Sequence, residues 1–391
     1  MDGRPRVLHV LGSLHWGGIE TWLMHIVRHQ HRFDVRHELL LTETRTGAYE
    51  GEARRLGIPI HKIPLRNGRV AWFGKFSRFL REDGPFLAVH AHDDPPFTAL
   101  LLTTAKRAGV PIRIAHSHSA RSRGEDYPLS RRLLRLAAIP LAKAVATRLV
   151  GISEDALAEI AGAHWRSRDR ASLLFYGFDF GRFRGAAERG TALRRRLALP
   201  PNARIVGNVA RFSPVKNHDL LLRAFAICRG QCPDAHLVLV GAGPLQEALE
   251  SLADTLGIRS SVLFAGTSDD VPAFMAMFDL FVLPSFSEGL GIVCIEAQAA
   301  GTRLLVSDTT PAEALVVPGA SETLDPGAPA PIWGAAMARL VGMPPPEAAP
   351  EAWLDELERG RFGLDRCIAE LAALYLPHPP ERASAIARRR P

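Results

Sequence analysis

Phe281-Val282-Leu283-Pro284-Ser285-Phe286-Ser287-Glu288-Gly289-Leu290-Gly291-Ile292-Val293-Cys294-Ile295-Glu296-Ala297 decides how the rest of the chain is read. A short apolar run ends at Pro284, a loop with two glycines follows, and apolar residues resume as a helix. Glu288 lies in the loop and Glu296 on the helix, seven residues between them. A carboxylate can accept paired hydrogen bonds from vicinal hydroxyls, as on a ribose. The opening amides, Gly289, Leu290, Gly291, Ile292 and Val293, suit phosphate oxygens or a sugar hydroxyl. Burying Glu296 without partners is costly. A structural ion pair would satisfy it equally well, so these residues alone leave both readings open.

The same strand–turn–helix rhythm extends both ways. Val7 to Leu11, Leu39 to Leu41, Ile58 to Ile63, Leu87 to His92, Ile112 to Ala115 and Arg148 to Ile152 read as strands, the last closing a first half. Helical stretches such as Phe97 to Ala108 lie between them, and Ser153 suits a helix N-cap. Ile205 to Ala210 opens a second series, continued by His236 to Val240, Val262 to Ala265, Leu280 to Pro284 and Leu304 to Ser307. Strands alternating with helices imply parallel sheets covered on both faces. A basic, weakly patterned segment, 176–203, joins the halves. Pro344-Pro345-Pro346 marks a linker, Leu364 to Leu374 an amphipathic helix, and Arg388-Arg389-Arg390 a disordered basic tail.

Two further clusters carry chemistry. Arg211 follows a strand directly, and Lys216 stands just before a helix that Asn217 can cap. Ligands of open α/β sheets bind at the strands' carboxyl ends, so this pair suits a diphosphate; solvated surface charges are the plainer reading. Gly12 to Gly18 lies between the first strand and its helix. It lacks both the G-x-G-x-x-G and the Walker spacing, and a ligand-free tight turn explains it equally well.

At this point the chain resembles the retaining GT-B glycosyltransferases of the large group 1, or GT4, family. Glu288 to Glu296 is similar to their E-x7-E motif, and Arg211 and Lys216 to their phosphate-binding pair. Gly17 and Gly18 resemble the family's N-terminal glycine loop, Gly241-Ala242-Gly243-Pro244 its G-x-G-P/E turn, and Val262 to Val271 the segment facing the nucleobase. Ile114-Ala115-His116-Ser117-His118 resembles the loop whose histidine lies beside the transferred sugar, with His118 favoured over His116. This form is most like the branch that builds capsular and exopolysaccharides. Tyr176-Gly177-Phe178-Asp179 departs from the usual Asn-Gly-x-Asp, which removes the basis for any role of that Asn.

The resemblance implies an α/β, GT-B fold: two Rossmann-like domains facing each other across a cleft, with a C-terminal crossover helix. The expected boundaries are 1–178 for the acceptor domain, 179–350 for the nucleotide-sugar domain, 351–377 for the crossover helix and 378–391 for the tail. It implies metal-independent, retaining transfer of a hexose from a nucleotide-diphosphate sugar to a glycan or lipid-linked acceptor. His118, Arg211, Lys216 and Glu288 are the expected catalytic residues. Gly17, Gly18, Gly241, Val271, the amides from Gly289 to Val293 and Glu296 would bind the donor. Asp93-Asp94 and Asp269-Asp270 are read as loop or capping residues rather than metal ligands. A sugar-nucleotide epimerase and a non-catalytic nucleotide-binding scaffold are the alternatives.

Composition agrees. The 391 residues are enough for two cores, with 47% hydrophobic and 23% charged residues. The net charge of +7 favours anionic partners, but no RNA- or DNA-reading motif is present. Four cysteines without C-x-x-C spacing read as free thiols. Neither a signal sequence nor a membrane span is visible, so a cytoplasmic location is expected. The stretch Arg131 to Lys143 mixes cations and leucines at helical spacing; inward-packed leucines are the simpler reading, contact with an anionic inner membrane face the other.

Overall fold

A computed structural model describes residues 3–15, 17–65, 68–118, 129–344 and 350–376. The first half forms a seven-stranded sheet from β1 (Arg6–Leu11), β2 (Arg36–Leu41), β3 (Ile60–Lys62), β4 (Ala88–Ala91), β5 (Ile112–Ser117), β6 (Arg148–Gly151) and β7 (Ala171–Leu173). Their order is β3-β2-β1-β4-β5-β6-β7. The second half forms a six-stranded sheet from β8 (Arg204–Val209), β9 (Ala235–Val240), β10 (Val262–Gly266), β11 (Leu280–Leu283), β12 (Leu304–Ser307) and β13 (Ser321–Leu324). Their order is β10-β9-β8-β11-β12-β13.

Neighbouring strands pair in parallel, for example Val7 with His37 and Ala88, and Ile205 with His236. Parallel strands are covered on both faces, which is why the central ones are near-continuous apolar runs. All four residues of β4, β6, β11 and β12 are buried. Strand order reverses between β1 and β4 in one sheet and between β8 and β11 in the other. Each reversal opens a crevice at the carboxyl ends, where open α/β sheets bind ligands.

The chain then returns to its first half. Trp22 Nε1 donates to Cys367 Sγ at 3.4 Å, and Arg32 pairs with Asp365 at 2.7 Å. Phe178 bridges Gly363 just before the helix Leu364–Leu374. A Cβ on Gly177 would lie 2.4 Å from Cys367 Cβ, so only glycine lets the linker pass beneath this helix.

Four expectations need correction. Arg148 to Gly151 is not the last strand of its half, because the three-residue β7 follows; it is too short to show a period. β13 reads Ser-Glu-Thr-Leu, an edge strand without an apolar run. The segment 176–203 holds a turn, Phe180–Phe183, and the helix Ala186–Arg196, whose few buried residues include Ala186, Gly190 and Leu193. Asn217 occupies an N-cap position but does not cap: at φ 53° its side chain turns away and donates to the Pro326 carbonyl at 3.2 Å. Ser153, Asp94 and Asp270 do cap, accepting from the amides of Ala156, Phe97 and Ala273. A helix, Pro350–Arg359, also precedes the last one. Pro345, Pro346 and the basic tail lie outside the described residues.

Candidate active site

The second sheet brings its two motifs together because β8 and β11 are neighbours. Lys216 ends the short turn Pro214–Lys216 after β8, and Glu288 sits in the loop after β11. The Lys216 ammonium donates to both Glu288 oxygens, at 2.7 and 2.9 Å. The loops are also stitched by the Phe286 amide on the Val215 carbonyl, 2.8 Å. Arg211 is exposed beside them, and its guanidinium has no partner among the described residues. Ser285 Oγ, buried at the end of β11, also lacks a hydrogen bond there.

The helix Ile292–Ala299 starts from Gly291, held at φ 76°, a conformation that glycine adopts without strain. Cys294 N closes onto the Gly291 carbonyl at 2.8 Å. The amides before it are left for another acceptor. Glu296 lies one turn further on. No hydrogen bond or ion pair reaches its carboxylate among the described residues. Burial pushes it up to about 7, against a small opposing pull from Arg182. Glu296 keeps part of its surface accessible, so water in the open cleft relieves some of this penalty. A carboxylate so placed is a functional-site candidate rather than a stabilising group.

The first half faces this loop directly. A Cβ on Gly289 would lie 2.1 Å from the His118 carbonyl oxygen, and one on Gly18 would lie 3.0 Å from Ile292 Cδ1. Glycines at these two places therefore permit close approach across the cleft. Gly17 precedes the helix Gly18–Arg28, whose first turn carries Glu20. Burial pushes that carboxyl upward, and an anion at this helix end would meet it.

His118 stands at the end of β5, but both its ring nitrogens are engaged. Nδ1 meets the Tyr176 hydroxyl at 2.5 Å, and Nε2 meets His92 Nδ1 at 2.8 Å. Burial holds its pKa at about 3, so the ring is neutral. Tyr176 therefore stands behind His118, stacked on Trp22 at a centroid distance of 5.1 Å. This partner escaped the sequence reading because the family's Asn was missing there. Glu20 and Arg182 were missed as well, since neither belongs to a motif.

The remaining expected residues are scattered around the second crevice. Val271 opens the helix Val271–Met277 after β10, partly exposed. Gly241 has a packing role: at φ 143°, its missing Cβ would lie 2.0 Å from the Ala210 carbonyl oxygen. A cavity of about 270 Å³ lies beside the Val271 helix, between Arg189, Arg196, Ser268 and Phe274. A larger one, about 570 Å³, lies behind the Lys216 turn, between Ser213, Asn217, Leu252 and Phe286. Neither is lined by Glu288 or Glu296.

Comparison with known proteins agrees with this geometry. Residues 17–177 match the glycosyl transferase 4-like domain, and residues 191–328 match the glycosyl transferases group 1 family. The putative glycosyltransferase EpsF of Bacillus subtilis is 33% identical over 340 residues, 86% of this chain and 88% of that one. The crystal structure of HepE from Anabaena with UDP and glucose superposes with a TM-score of 0.76 at 20% identity, covering 95% of this chain and 99% of that one. WaaG, involved in lipopolysaccharide biosynthesis, superposes at 0.70 with 18% identity, covering 94% and 99%. The two parallel sheets, their facing crevices and these matches make the chain a GT-B glycosyltransferase belonging to the group 1 family.

Proposed function

We propose that the protein is a retaining hexosyltransferase that moves a sugar from a nucleotide-diphosphate donor to a glycan or lipid-linked acceptor in surface polysaccharide assembly. The observation that carries this reading is one helix opening with three unfilled functions around it. Lys216, held by Glu288, and Arg211, whose guanidinium has no partner among the described residues, are cations for a diphosphate. The amides from Gly289 to Val293 are donors for the phosphate or sugar. Glu296, unpaired and close to neutral pH in its titration, is an acceptor for ribose hydroxyls. HepE supports a nucleotide-sugar donor, because it was crystallised with UDP-glucose. EpsF, a putative glycosyltransferase, supports sugar transfer through its likeness.

The chemistry needs a sugar carbon that gains positive charge while a diphosphate leaves. Cations and helix amides stabilise that leaving charge directly. Transfer is read as metal-independent because Arg211 and Lys216 supply the charge compensation; Asp94 and Asp270 serve as helix caps. His118 contributes its carbonyl edge to the cleft at Gly289, while its ring is held by Tyr176 and His92.

The enzyme works at the cytoplasmic face of the membrane. Leu133, Leu134 and Leu136 of the helix Leu129–Val145 are 57%, 49% and 67% exposed, not packed inward, and Arg132 is exposed beside them. Among the described residues no helix is long and apolar enough to cross a membrane. An apolar strip flanked by cations suits an anionic bilayer surface.

The test is to incubate the protein with UDP-, GDP- and ADP-sugars and a lipid-linked acceptor, then read the new anomeric centre by NMR. The donor's anomeric configuration should be kept in a glycoside product. An inverted product would refute retention, and interconversion of free nucleotide sugars would identify an epimerase instead.

A further inference from the structure

The first sheet gathers six histidines, five of them buried and the sixth, His118, half-buried. They are His9 in β1, His37 in β2, His90 and His92 at β4, and His116 and His118 at β5. His9 is the register partner of His90, and residues two apart on a strand share a face. The Trp22 ring meets four of them, His90, His92, His116 and His118. Burial lowers the pKa of all six, so the array consists of neutral imidazoles. Neutral imidazole is the form that ligates metals.

Three of the six are arranged differently from the rest. His92, His116 and His118 each bring one ring nitrogen within 4.8 Å of the other two. Each is anchored from outside by its second nitrogen. His118 Nδ1 meets the Tyr176 hydroxyl, His116 Nδ1 meets His90 Nε2 at 3.1 Å, and His92 Nε2 meets His9 Nδ1 at 2.9 Å. Among the described residues, His118 Nε2, His116 Nε2 and His92 Nδ1 are unclaimed from outside the triad; inside it, His118 Nε2 and His92 Nδ1 share one hydrogen bond of 2.8 Å, which an ion would replace. His116 Nε2 is buried without any hydrogen-bond partner among the described residues. An outer hydrogen bond that fixes the tautomer and frees the other nitrogen is the usual support of a metal-bound histidine. The triad His9, His90 and His92 also lies within 4.8 Å, but His90 has both nitrogens taken from outside it, Nδ1 by the Tyr375 hydroxyl and Nε2 by His116.

We propose that His92, His116 and His118 form a binding site for one divalent transition-metal ion of the zinc, cobalt and nickel class. All-imidazole ligation selects these ions over magnesium or calcium. His118 is the least buried of the three and is the ligand nearest solvent. The site lies at the first sheet, whereas the diphosphate cations Arg211 and Lys216 belong to the second. His118 is also the histidine expected beside the transferred sugar, so the metal site borders the cleft without including the diphosphate cations.

The test uses the full chain without a polyhistidine tag, stripped with chelator, loaded with Co²⁺ and gel-filtered. Cobalt per chain and the visible spectrum are measured. One retained Co²⁺ with the strong d–d bands of four-coordinate cobalt, bleached by Zn²⁺, is the expected result. His92→Gln and His116→Gln should each reduce retention to background. The double variant His29→Gln/His31→Gln, on the surface, should retain the ion. Substoichiometric cobalt in the wild type, or weak octahedral bands, overturns the site. Undiminished retention in His116→Gln also overturns it. If the His92 or His116 variants do not fold, the wild-type stoichiometry and spectrum decide alone.

Discussion

Replacing Glu296 by Gln should stabilise the protein at alkaline pH while crippling donor use. In the folded chain this carboxyl titrates at about 7 rather than its ordinary 4.5, because burial disfavours the charge. The folded state thus binds the proton more tightly than the unfolded chain. Stability falls as pH rises between 4.5 and about 7, and the full penalty persists above that window. At ~1.4 kcal/mol per pH unit the gap corresponds to ~3 kcal/mol. Cleft water reaches part of the side chain, so ~2 kcal/mol is the discounted figure. Glu296→Gln keeps the shape and removes the charge. Urea unfolding should find the variant ~2 kcal/mol more stable than wild type at pH 8 and equal to it at pH 4.5. Donor affinity should fall by ~10–100-fold, the cost of losing charge-assisted hydrogen bonds to ribose. A stability difference that does not change with pH, or a variant less stable at pH 8, would refute the reasoning.

Other expectations follow from the same site. Lys216→Ala and Arg211→Ala should each lower kcat by ~10²–10³-fold at saturating donor; Arg211→Ala should leave the melting temperature nearly unchanged, whereas Lys216→Ala should lower it because Glu288 loses its partner; near-normal turnover in both would remove these residues from the site. Gly289→Ala should impair transfer strongly without unfolding either sheet, because the new Cβ would lie 2.1 Å from the His118 carbonyl oxygen; wild-type kinetics in that variant would show that the halves need not approach here. Activity should survive excess EDTA, and a complete loss restored by magnesium or manganese would show that an aspartate pair ligates metal. Liposome co-sedimentation should rise with anionic lipid, fall with salt, and weaken in the Arg131→Ser, Arg132→Ser, Arg135→Ser variant, each cation adding ~1 kcal/mol; binding indifferent to that variant would free the helix of a membrane role.

The fold was legible where burial writes a plain pattern. β11 is a continuous apolar run and β9 nearly so, and each ends in a loop with glycine or charge. β7 and β13 were not legible, because three or four half-exposed residues at a sheet edge carry no period. The helix Ala186–Arg196 hid behind its arginines. Within the site, Glu288, Glu296, Arg211 and Lys216 could be read from spacing, since each lies in a single strand–loop–helix unit. The pairing of Lys216 with Glu288 could not, because it depends on β8 and β11 being neighbours across 72 residues. The imidazole array was invisible for a similar reason: its members come from four strands. The one local signal was a pair of H-x-H spacings, His90 with His92 and His116 with His118, at the carboxyl ends of two buried strands. Tyr176 gave no signal until its hydroxyl was found on His118.

The central claim is that the second crevice holds a nucleotide-diphosphate sugar between Lys216, Arg211 and Glu296. Thermal melts with UDP-, GDP- and ADP-sugars test it most directly, because a ligand that binds only the native state must raise its stability. At least one donor should raise the melting temperature of the wild type in a concentration-dependent way, and the same donor should fail to do so for the double variant Arg211→Ala/Lys216→Ala. No shift with any nucleotide sugar, or an equal shift in the double variant, would contradict the account.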